Sequence, residues 1–103
     1  MIEISIITIN YNGLNDTCAL IETIPFHDYL EVIVVDNASQ NQEADIISKR
    51  YPQVNVIKSE KNLGFAGGNN LGILAAHGKY LFLINNDTVF KEFSIHALIS
   101  RMD

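Results

Sequence analysis

The chain of 103 residues is poor in cysteine and in basic residues. Its single cysteine, Cys18, excludes an internal disulfide and a zinc site built from several cysteines. Seven Lys and Arg residues against twelve Asp and Glu residues give a formal net charge of −5. That balance argues against nucleic acid as a partner, because phosphate backbones attract basic surfaces. An acidic protein that binds a phosphate ester has two simple means of doing so, backbone N–H groups and a metal ion.

The sequence also lacks a long apolar run. No stretch approaches the roughly 18 apolar residues of a membrane-spanning helix, and the opening MIEISIITI lacks the basic start and the cleavage site of a signal peptide. We therefore expect a cytoplasmic protein, peripheral at the inner face of a membrane only if parts outside this chain attach it. No repeat, linker or low-complexity tract interrupts the chain, so residues 1–103 are predicted to form one domain.

Short β-rich runs alternate with helical patterns along the chain. The predicted strands are Ile4–Ile9, Glu31–Val35, Val54–Lys58 and Tyr80–Ile84, and the predicted helices are Asp16–Ile24, Glu43–Arg50, Gly67–His77 and about Phe93–Met102. The first, second and fourth strands are almost continuously apolar, which is typical of parallel strands covered on both faces. The alternation predicts an α/β fold: a Rossmann-like, doubly wound, mainly parallel sheet in three α/β/α layers, with strand order 3-2-1-4.

Local signals predict where the helices begin and end. Pro25 should end the first helix. Ser39 followed by Gln42 predicts a capping box at the start of the second helix. Gly78 follows the third helix, where a left-handed C-terminal cap is expected.

Polar residues follow all four predicted strands. In order along the chain they are Asn10, Tyr11 and Asn12; Asp36 and Asn37; Glu60 and Asn62; and Asn85, Asn86 and Asp87. Asn and Asp favour turns and helix caps, and this explains any one of them. In an open α/β sheet, however, ligands bind beyond the carboxyl ends of the strands. Four polar ends together therefore favour a binding site.

A glycine-rich segment, NLGFAGGNN, spans Asn62–Asn70. Its three glycines allow either close approach of a ligand to the backbone or a tight strand-to-helix connection, and the sequence leaves both open. Gly64, Gly67 and Gly68 do not fit the dinucleotide motif G-x-G-x-x-G, and the chain has no phosphate-loop motif.

Other potentially reactive residues do not form recognisable sites. His27, His77 and His96 are scattered, without a second His or Cys at metal-ligand spacing, so we expect none to be a ligand. Cys18 lies on the apolar side of a predicted helix, where a role in core packing is expected. No serine stands in a G-x-S-x-G elbow.

Four segments together carry a resemblance. ISIITINYNG, EVIVVDNAS, NLGFAGGNN and YLFLINNDT resemble, in order and spacing, the amino-terminal half of the large inverting glycosyltransferase family with a GT-A fold, which includes bacterial polysaccharide transferases. The resemblance covers about residues 3–100 of the chain. It implies that residues 1–103 form the nucleotide-sugar-binding half of a GT-A domain, truncated relative to the family. The implied reaction transfers a sugar, with inversion, from a nucleoside-diphosphate sugar to a hydroxyl group of a glycan, a lipid-linked or another acceptor, in polysaccharide or cell-envelope glycan synthesis.

The resemblance also implies a set of donor-binding residues. These are Asn10, Tyr11, Asn12, Asp36, Asn62, Gly67, Gly68, Asn70, Asn85, Asn86 and Asp87. The end of the first strand would lie beside the base, and Asp36 would accept a hydrogen bond from the base or the ribose. The segment Asn62–Asn70 would border the nucleotide and the sugar.

Asp87 is the implied metal ligand. It corresponds to the final carboxylate of the family's D-x-D-type motif and would meet Mg²⁺ or Mn²⁺ on the donor's diphosphate. The family's usual first Asp is Asn85 in this chain, and Asn86 stands between the two. A site with one carboxylate should bind the metal more weakly than a site with two.

No catalytic residue is assigned. Family members are longer, and their second half supplies the acceptor site and the carboxylate that deprotonates the acceptor. After Asp87 the acidic residues are Glu92 and Asp103, neither in a recognisable motif, so we expect the general base to be absent and the isolated chain to be inactive. An edge strand and a sheet face left uncovered should favour self-association.

Two other classes of protein compete with a glycosyltransferase as explanations of this sequence. The same cleft could hold a nucleotide or a sugar without turnover, as a non-catalytic binding module. An oxidoreductase or a response-regulator domain is disfavoured, because the dinucleotide motif is absent and the first strand ends in Asn10, Tyr11 and Asn12 rather than in an acidic cluster.

Overall fold

Four strands and three helices alternate along residues 2–86, the part of the chain that this computed structural model describes. They are β1 (Ile4–Asn10), α1 (Leu14–Thr23), β2 (Leu30–Asn37), α2 (Glu43–Arg50), β3 (Asn55–Ser59), α3 (Gly64–Ala75) and β4 (Tyr80–Leu83). The predicted alternation of strands and helices is confirmed over this range. The helix predicted at about Phe93–Met102 lies outside the described residues.

The four strands form one parallel sheet in the order β3-β2-β1-β4. The predicted fold class and strand order are therefore confirmed. In the sheet register, Asn10 lies opposite Asp36, and Ile7 lies opposite Leu83. Because all the strands run the same way, their carboxyl ends meet at one edge of the sheet, where α/β folds bind ligands.

Helices cover both faces of the sheet. On one face, α1 and α2 pack against alternate β1 and β2 residues in a cluster that includes Ile4, Ile6, Cys18, Leu20, Val32, Val34 and Ile47. On the other face, a smaller cluster of Ile7, Ile33 and Val35 packs against α3. Burial of each such side chain stabilises the fold by about 1.5–3 kcal/mol. Cys18 is buried in the larger cluster, as predicted for a packing residue.

Gly72 and Gly78 allow close packing against β1. A Cβ atom added to Gly72, in α3, would lie 2.4 Å from Ile7 Cγ2, so only a glycine lets α3 come this near the sheet. A Cβ atom added to Gly78 would lie 2.6 Å from the backbone nitrogen of Ser5. Gly78 N also donates to Ser5 Oγ over 2.8 Å.

Two predicted helix caps are wrong. Helix α3 ends at Ala75 with Ala76 extended, and among the described glycines only Gly64 has a positive φ, so Gly78 provides close packing rather than a left-handed cap. The N-cap of α2 is Gln42, which makes no side-chain capping bond. The Ser39 hydroxyl faces β1 instead, where tertiary hydrogen bonds outcompete the local capping box.

Helix α3 begins three residues before its predicted start. Asn62 Oδ1 accepts the N–H of Gly64 over 2.9 Å, so an amide satisfies a backbone group at the start of the helix. The glycine-rich segment is therefore mostly helical rather than a loop. Helix α1 begins at Leu14, two residues earlier than predicted, and ends before Pro25 as expected.

Strand β4 differs from the prediction of burial on both faces. Leu81 and Leu83 are 41% and 48% exposed, while Phe82 is partly buried against the larger core cluster. The cause lies in the sheet order, since β4 is an edge strand of the described sheet and α3 packs mainly over β1 and β2. Self-association through such surface stays a prediction. Within residues 2–86, no helix has the length and apolar character needed to cross a membrane.

Candidate functional site

A cleft of about 440 Å³ opens at the carboxyl edge of the sheet, on the side that α3 covers. Its lining residues are Ile9, Tyr11, Asn37, Asn62, Gly64, Phe65, Ile84, Asn85 and Asn86. Four of the predicted donor-binding residues, from three separate segments of the chain, thus share one cleft: Tyr11, Asn62, Asn85 and Asn86.

Two aromatic rings stand exposed in the lining of this cleft. Tyr11 follows β1 and is 52% exposed, and Phe65 lies in the first turn of α3 and is 66% exposed. Exposed aromatic side chains are costly to leave in water and offer flat surfaces on which a planar ring can stack. Amides supply the polar part of the lining, so the cleft combines apolar faces with neutral hydrogen-bonding groups.

Asn10 and Asp36 do not line the cleft. Both are buried, at 0% and 2% exposure, and they belong to the side of the sheet that faces α1 and α2. Side chains alternate between the two faces of a strand, so the neighbours of these residues, Tyr11 and Asn37, are the ones that reach the cleft. The structure therefore divides the predicted strand-end residues into a cleft layer, with Tyr11 and Asn37, and a buried layer, with Asn10 and Asp36.

The side chain of Asn10 is the centre of the buried layer. Its Nδ2 atom lies 2.8 Å from Asp36 Oδ1, 2.9 Å from Glu43 Oε1 and 3.1 Å from Ser39 Oγ. An amide nitrogen carries two hydrogens, which can serve the two carboxylates. On the other side of the amide, Oδ1 accepts the hydroxyl of Thr17 over 2.5 Å.

The side chains of Asp36 and Glu43 make this layer negative, and neither carboxylate forms an ion pair among residues 2–86. The ion pairs found within residues 2–86 join Lys58, which lies opposite Asp36 in the register of β2 and β3, to Asp45, and His77 to Glu31. Asp36 is held instead by neutral donors, since Ser39 N donates to its Oδ2 over 3.1 Å. A buried carboxylate without an ion pair requires neutral donors of this kind.

Asn37 holds the segment that borders the cleft. Its Oδ1 accepts the N–H of Leu63, and its Nδ2 donates to the carbonyl of Gly64, each over 2.9 Å. One buried amide thus binds both sides of a single turn at the start of α3. Gly64 has a φ of +74°, a conformation that favours glycine.

Asn12 is exposed and shapes the turn after β1. It has a φ of 50°, its N–H donates to Ser39 Oγ over 2.9 Å, and its Oδ1 accepts the N–H of Gln40 over 2.8 Å. Beside it lies a second cavity of about 470 Å³, lined by Asn12, Gly13, Leu14, Asn15, Asp16 and Glu43.

The two central glycines of the NLGFAGGNN segment pack against protein atoms. A Cβ atom at Gly68 would lie 2.9 Å from Ile9 Cδ1, and one at Gly67 would lie 2.7 Å from Leu63 Cβ. Close packing therefore accounts for both glycines. Asn70 is exposed on α3 and is not a lining residue of the cleft. Contact of Gly67, Gly68 and Asn70 with a donor stays a prediction.

Several site residues were not identified from the sequence. They are Thr17, Ser39, Glu43 and Phe65, together with Asn37, whose place at a strand end does not by itself predict a role. Asn37 and Ser39 lie in the EVIVVDNAS segment, and Phe65 lies in the glycine-rich segment, so position in a motif was an available signal. Thr17 and Glu43 lie in helices and carry no comparable signal.

The metal site predicted at Asp87 lies outside the described residues. Within residues 2–86, no group of three or more His, Cys, Asp or Glu side chains could hold a metal ion. Asn85 and Asn86 bring amide oxygens to the end of β4, and such oxygens suit Mg²⁺ and Mn²⁺ as ligands. Since Asn86 uses its Nδ2 to donate to Thr17, its Oδ1 is the atom left for such a contact.

Comparison with known sequences gives one family and several relatives. The family described as glycosyl transferase family 2 matches residues 5–103. The glycosyltransferase YwdF of Bacillus subtilis is 28% identical over 98% of this chain and 38% of its own length. The succinoglycan biosynthesis protein ExoO of Rhizobium meliloti is 25% identical over 98% of this chain and 30% of its own length. This chain thus spans about a third of the length of these relatives.

Solved structures match the fold. S. aureus TarS 1–349 in complex with UDP-GlcNAc superposes with a TM-score of 0.81 at 23% identity, over 99% of this chain and 31% of TarS. The mannosyltransferase PcManGT from Pyrobaculum calidifontis, in complex with GDP-Man and Mn²⁺, superposes with a TM-score of 0.72 at 22% identity, over 85% of this chain and 28% of PcManGT. The parallel sheet and its helices therefore have the GT-A arrangement of glycosyltransferases.

Proposed function

Since this chain belongs to glycosyl transferase family 2, we propose that residues 1–103 form the part of a glycosyltransferase that binds a nucleoside-diphosphate sugar. The single observation that carries the proposal is the cleft at the carboxyl edge, where Tyr11, Asn62, Asn85 and Asn86 meet. The ligands of the two structural neighbours, UDP-GlcNAc and GDP-Man, are of this chemical class and support it.

In the proposed arrangement the base lies against Tyr11 and Phe65. Their exposed rings offer stacking surfaces, and Asn62 beside them offers an amide for hydrogen bonds. Asp36 does not line the cleft, and we place its contact with the base or the ribose at the carboxyl edge of the sheet itself, where it would act as an acceptor. Each of its oxygens accepts one bond within the protein, from Asn10 and Ser39, and a carboxylate has about four lone-pair sites.

The diphosphate and a divalent cation are placed at the end of β4. Asn85 and Asn86 lie there, and Asp87 would add the one carboxylate next to them. Mg²⁺ or Mn²⁺ bound there would neutralise charge on the departing nucleoside diphosphate. The Mn²⁺ in the PcManGT complex supports this choice of metal.

The reaction of the whole protein is proposed to be transfer of the sugar to a hydroxyl acceptor with inversion. The name of the relative ExoO supports a role in polysaccharide or cell-envelope glycan synthesis. Because the relatives are about three times as long as this chain, we place the acceptor site and the general base in parts that residues 1–103 do not include. By itself, the chain is proposed to bind the donor without transferring the sugar.

Thermal unfolding in the presence of nucleotides tests the proposal. The chain is heated with UDP, dTDP or GDP, each with and without Mn²⁺. A ligand at a hundred times its Kd stabilises the folded state by about 2.7 kcal/mol, which for a domain of this size raises Tm by on the order of ten degrees. We expect one nucleotide to give such a shift, and Mn²⁺ to enlarge it.

Paired variants locate the site. Tyr11→Ala and Asn62→Ala should reduce the nucleotide-induced shift, whereas Asn55→Ala, an exposed amide at the opposite end of β3, should leave it unchanged. An unchanged Tm with all three nucleotides would contradict donor binding by this chain. An equal loss of the shift in Asn55→Ala would contradict the location.

A further inference from the structure

A continuous line of side-chain hydrogen bonds joins the end of β4 to the end of β2. Asn86 Nδ2 donates to Thr17 Oγ1 over 3.1 Å, and Thr17 Oγ1 donates to Asn10 Oδ1 over 2.5 Å. Asn10 Nδ2 then donates to Asp36 Oδ1 over 2.8 Å. The line thus connects the two places that the proposed function gives to the diphosphate and to the base.

Thr17 can donate one hydrogen bond and accept another at the same time, so it can join two amide groups. Its side chain is fully buried, and a hydroxyl group has one hydrogen to donate and lone pairs with which to accept. Because Asn86 Nδ2 can only donate, Thr17 accepts from Asn86 and has its own hydrogen free for Asn10. Bonds in such a line polarise one another in surroundings from which water is excluded.

Gly13 leaves the space that this line needs. A Cβ atom added to Gly13 would lie 2.8 Å from Asn86 Nδ2. The φ of Gly13 is −128°, a value that any residue adopts, so the backbone at this position does not require glycine. Space for the Asn86 amide is what the glycine provides.

We propose that Thr17 and Asn10 are positioning residues of the donor site. Through them, the orientation of Asn86, which precedes Asp87 in the sequence, depends on the same buried amide that orients Asp36. In this arrangement both residues act through their neighbours, so Asn10, which is fully buried, orients the site instead of contacting the donor as the resemblance implies. The inference rests on the proposed function, because it takes the strand-end site to be the one that holds the nucleotide.

Loss of the Thr17 hydroxyl should disturb both ends of the site together. Without it, Asn10 Oδ1 loses its donor, and the amide is free to turn away from Asp36. Asn86 loses its acceptor at the same time. A purely structural role for Thr17 would instead lower the stability of the fold and leave the affinity of the folded protein unchanged.

Calorimetric titration at 25 °C separates the two roles. The titrant is whichever of UDP, dTDP and GDP binds the wild-type chain, with Mn²⁺ present. Thr17→Val should raise Kd about fivefold to tenfold, whereas Thr17→Ser, which keeps the hydroxyl, should stay within about twofold of wild type. Thr23→Val is the matched control, since the Thr23 hydroxyl bonds to the Leu20 carbonyl further along α1, and its Kd should match that of wild type.

Gly13→Ala supplies a second test that does not depend on removing a buried group. The added methyl group meets only the far end of the Asn86 side chain at close range, so the fold can accommodate it by moving that amide. We expect a Kd raised severalfold with Tm nearly unchanged. In an Asn86→Ala background, Gly13→Ala should have no further effect on Kd.

Two results would overturn the inference. One is a wild-type Kd for Thr17→Val together with a lowered Tm. The other is a wild-type Kd for Gly13→Ala. In both cases the nucleotide still binds, so the proposed function stands. Absence of binding by the wild-type chain would overturn the proposed function and this inference with it.

Discussion

Asn10 and Asp36 lie opposite each other in the parallel register of β1 and β2, and Asn10 Nδ2 donates to Asp36 Oδ1 over 2.8 Å. The same nitrogen lies 2.9 Å from Glu43 Oε1, so one neutral amide stands between two buried carboxylates. This arrangement makes the amide important for stability as well as for the site.

Asn10→Ala should therefore destabilise the fold. The substitution removes the shared donor from two buried carboxylates, and a buried acceptor that loses its donor costs about 1–3 kcal/mol, more when it is charged. We expect the free energy of unfolding to fall by about 2–4 kcal/mol in urea titrations. Asn15→Ala, an exposed amide in α1, is the control and should change it by less than about 0.5 kcal/mol. Equal stabilities of the two variants would show that the Asn10 amide is not needed.

Asn37→Ala should weaken nucleotide binding through the segment that borders the cleft. The variant frees Leu63 N and the carbonyl of Gly64, which Asn37 now binds on both sides of the turn. With that turn loosened, Asn62 and Phe65 lose their fixed places in the cleft, and we expect Kd to rise about tenfold, or about 1.4 kcal/mol. Asn55→Ala, an exposed amide at the amino end of β3, serves as the comparison. Identical Kd values for both variants and wild type would exclude this role for Asn37.

Gly72→Ala should destabilise the protein although alanine is the better helix former. Helix propensity alone favours alanine over glycine by about 1 kcal/mol. Here the new Cβ atom would lie 2.4 Å from Ile7 Cγ2, and Ile7 is fully buried, so the helix or the strand must move. Overpacking of this kind costs about 1–3 kcal/mol, and we expect a net loss in urea titrations. A more stable variant would show that α3 can shift away from the sheet at little cost.

Acid should weaken the fold partly through Glu31, at the amino edge of the sheet. Burial raises the pKa of Glu31, but hydrogen bonds from the Ser5 hydroxyl, the His77 N–H and the His77 ring outweigh burial, so the pKa lies below its ordinary value of 4.5. A lowered pKa in the folded state means that the stabilisation is fully present above pH 4.5 and is lost as the pH falls through the lower folded value.

Glu31→Gln tests this dependence. The variant cannot lose a charge at this position. Its free energy of unfolding, measured by urea titration at about one-unit steps between pH 5 and pH 3, should therefore fall less steeply than that of wild type. At pH 7 it should be less stable than wild type, because the charged acceptor is gone. Parallel pH profiles for the two proteins would show that other acidic groups account for the acid sensitivity.

Local sequence patterns predicted most of the fold. The apolar runs and their alternation with helical patterns were enough for the four strands, the parallel sheet and the strand order, because right-handed crossovers leave few other arrangements. The caps at Ser39 and Gly78 were wrong, because each of these residues makes a tertiary contact with β1 that local pattern does not reveal. The prediction that β4 is buried on both faces was wrong, because the burial of a strand depends on which helices pack over it.

The sequence by itself determined that polar side chains would gather at one edge of a parallel sheet. Which of them would share a cleft was decided only by the tertiary structure, because alternation along β1 and β2 sends Tyr11 and Asn37 to one face and Asn10 and Asp36 to the other. The hydrogen bond between Thr17 and Asn86 joins residues 69 positions apart. Partners so distant in sequence meet only because two strands and a helix have been brought together, and no local propensity encodes that meeting.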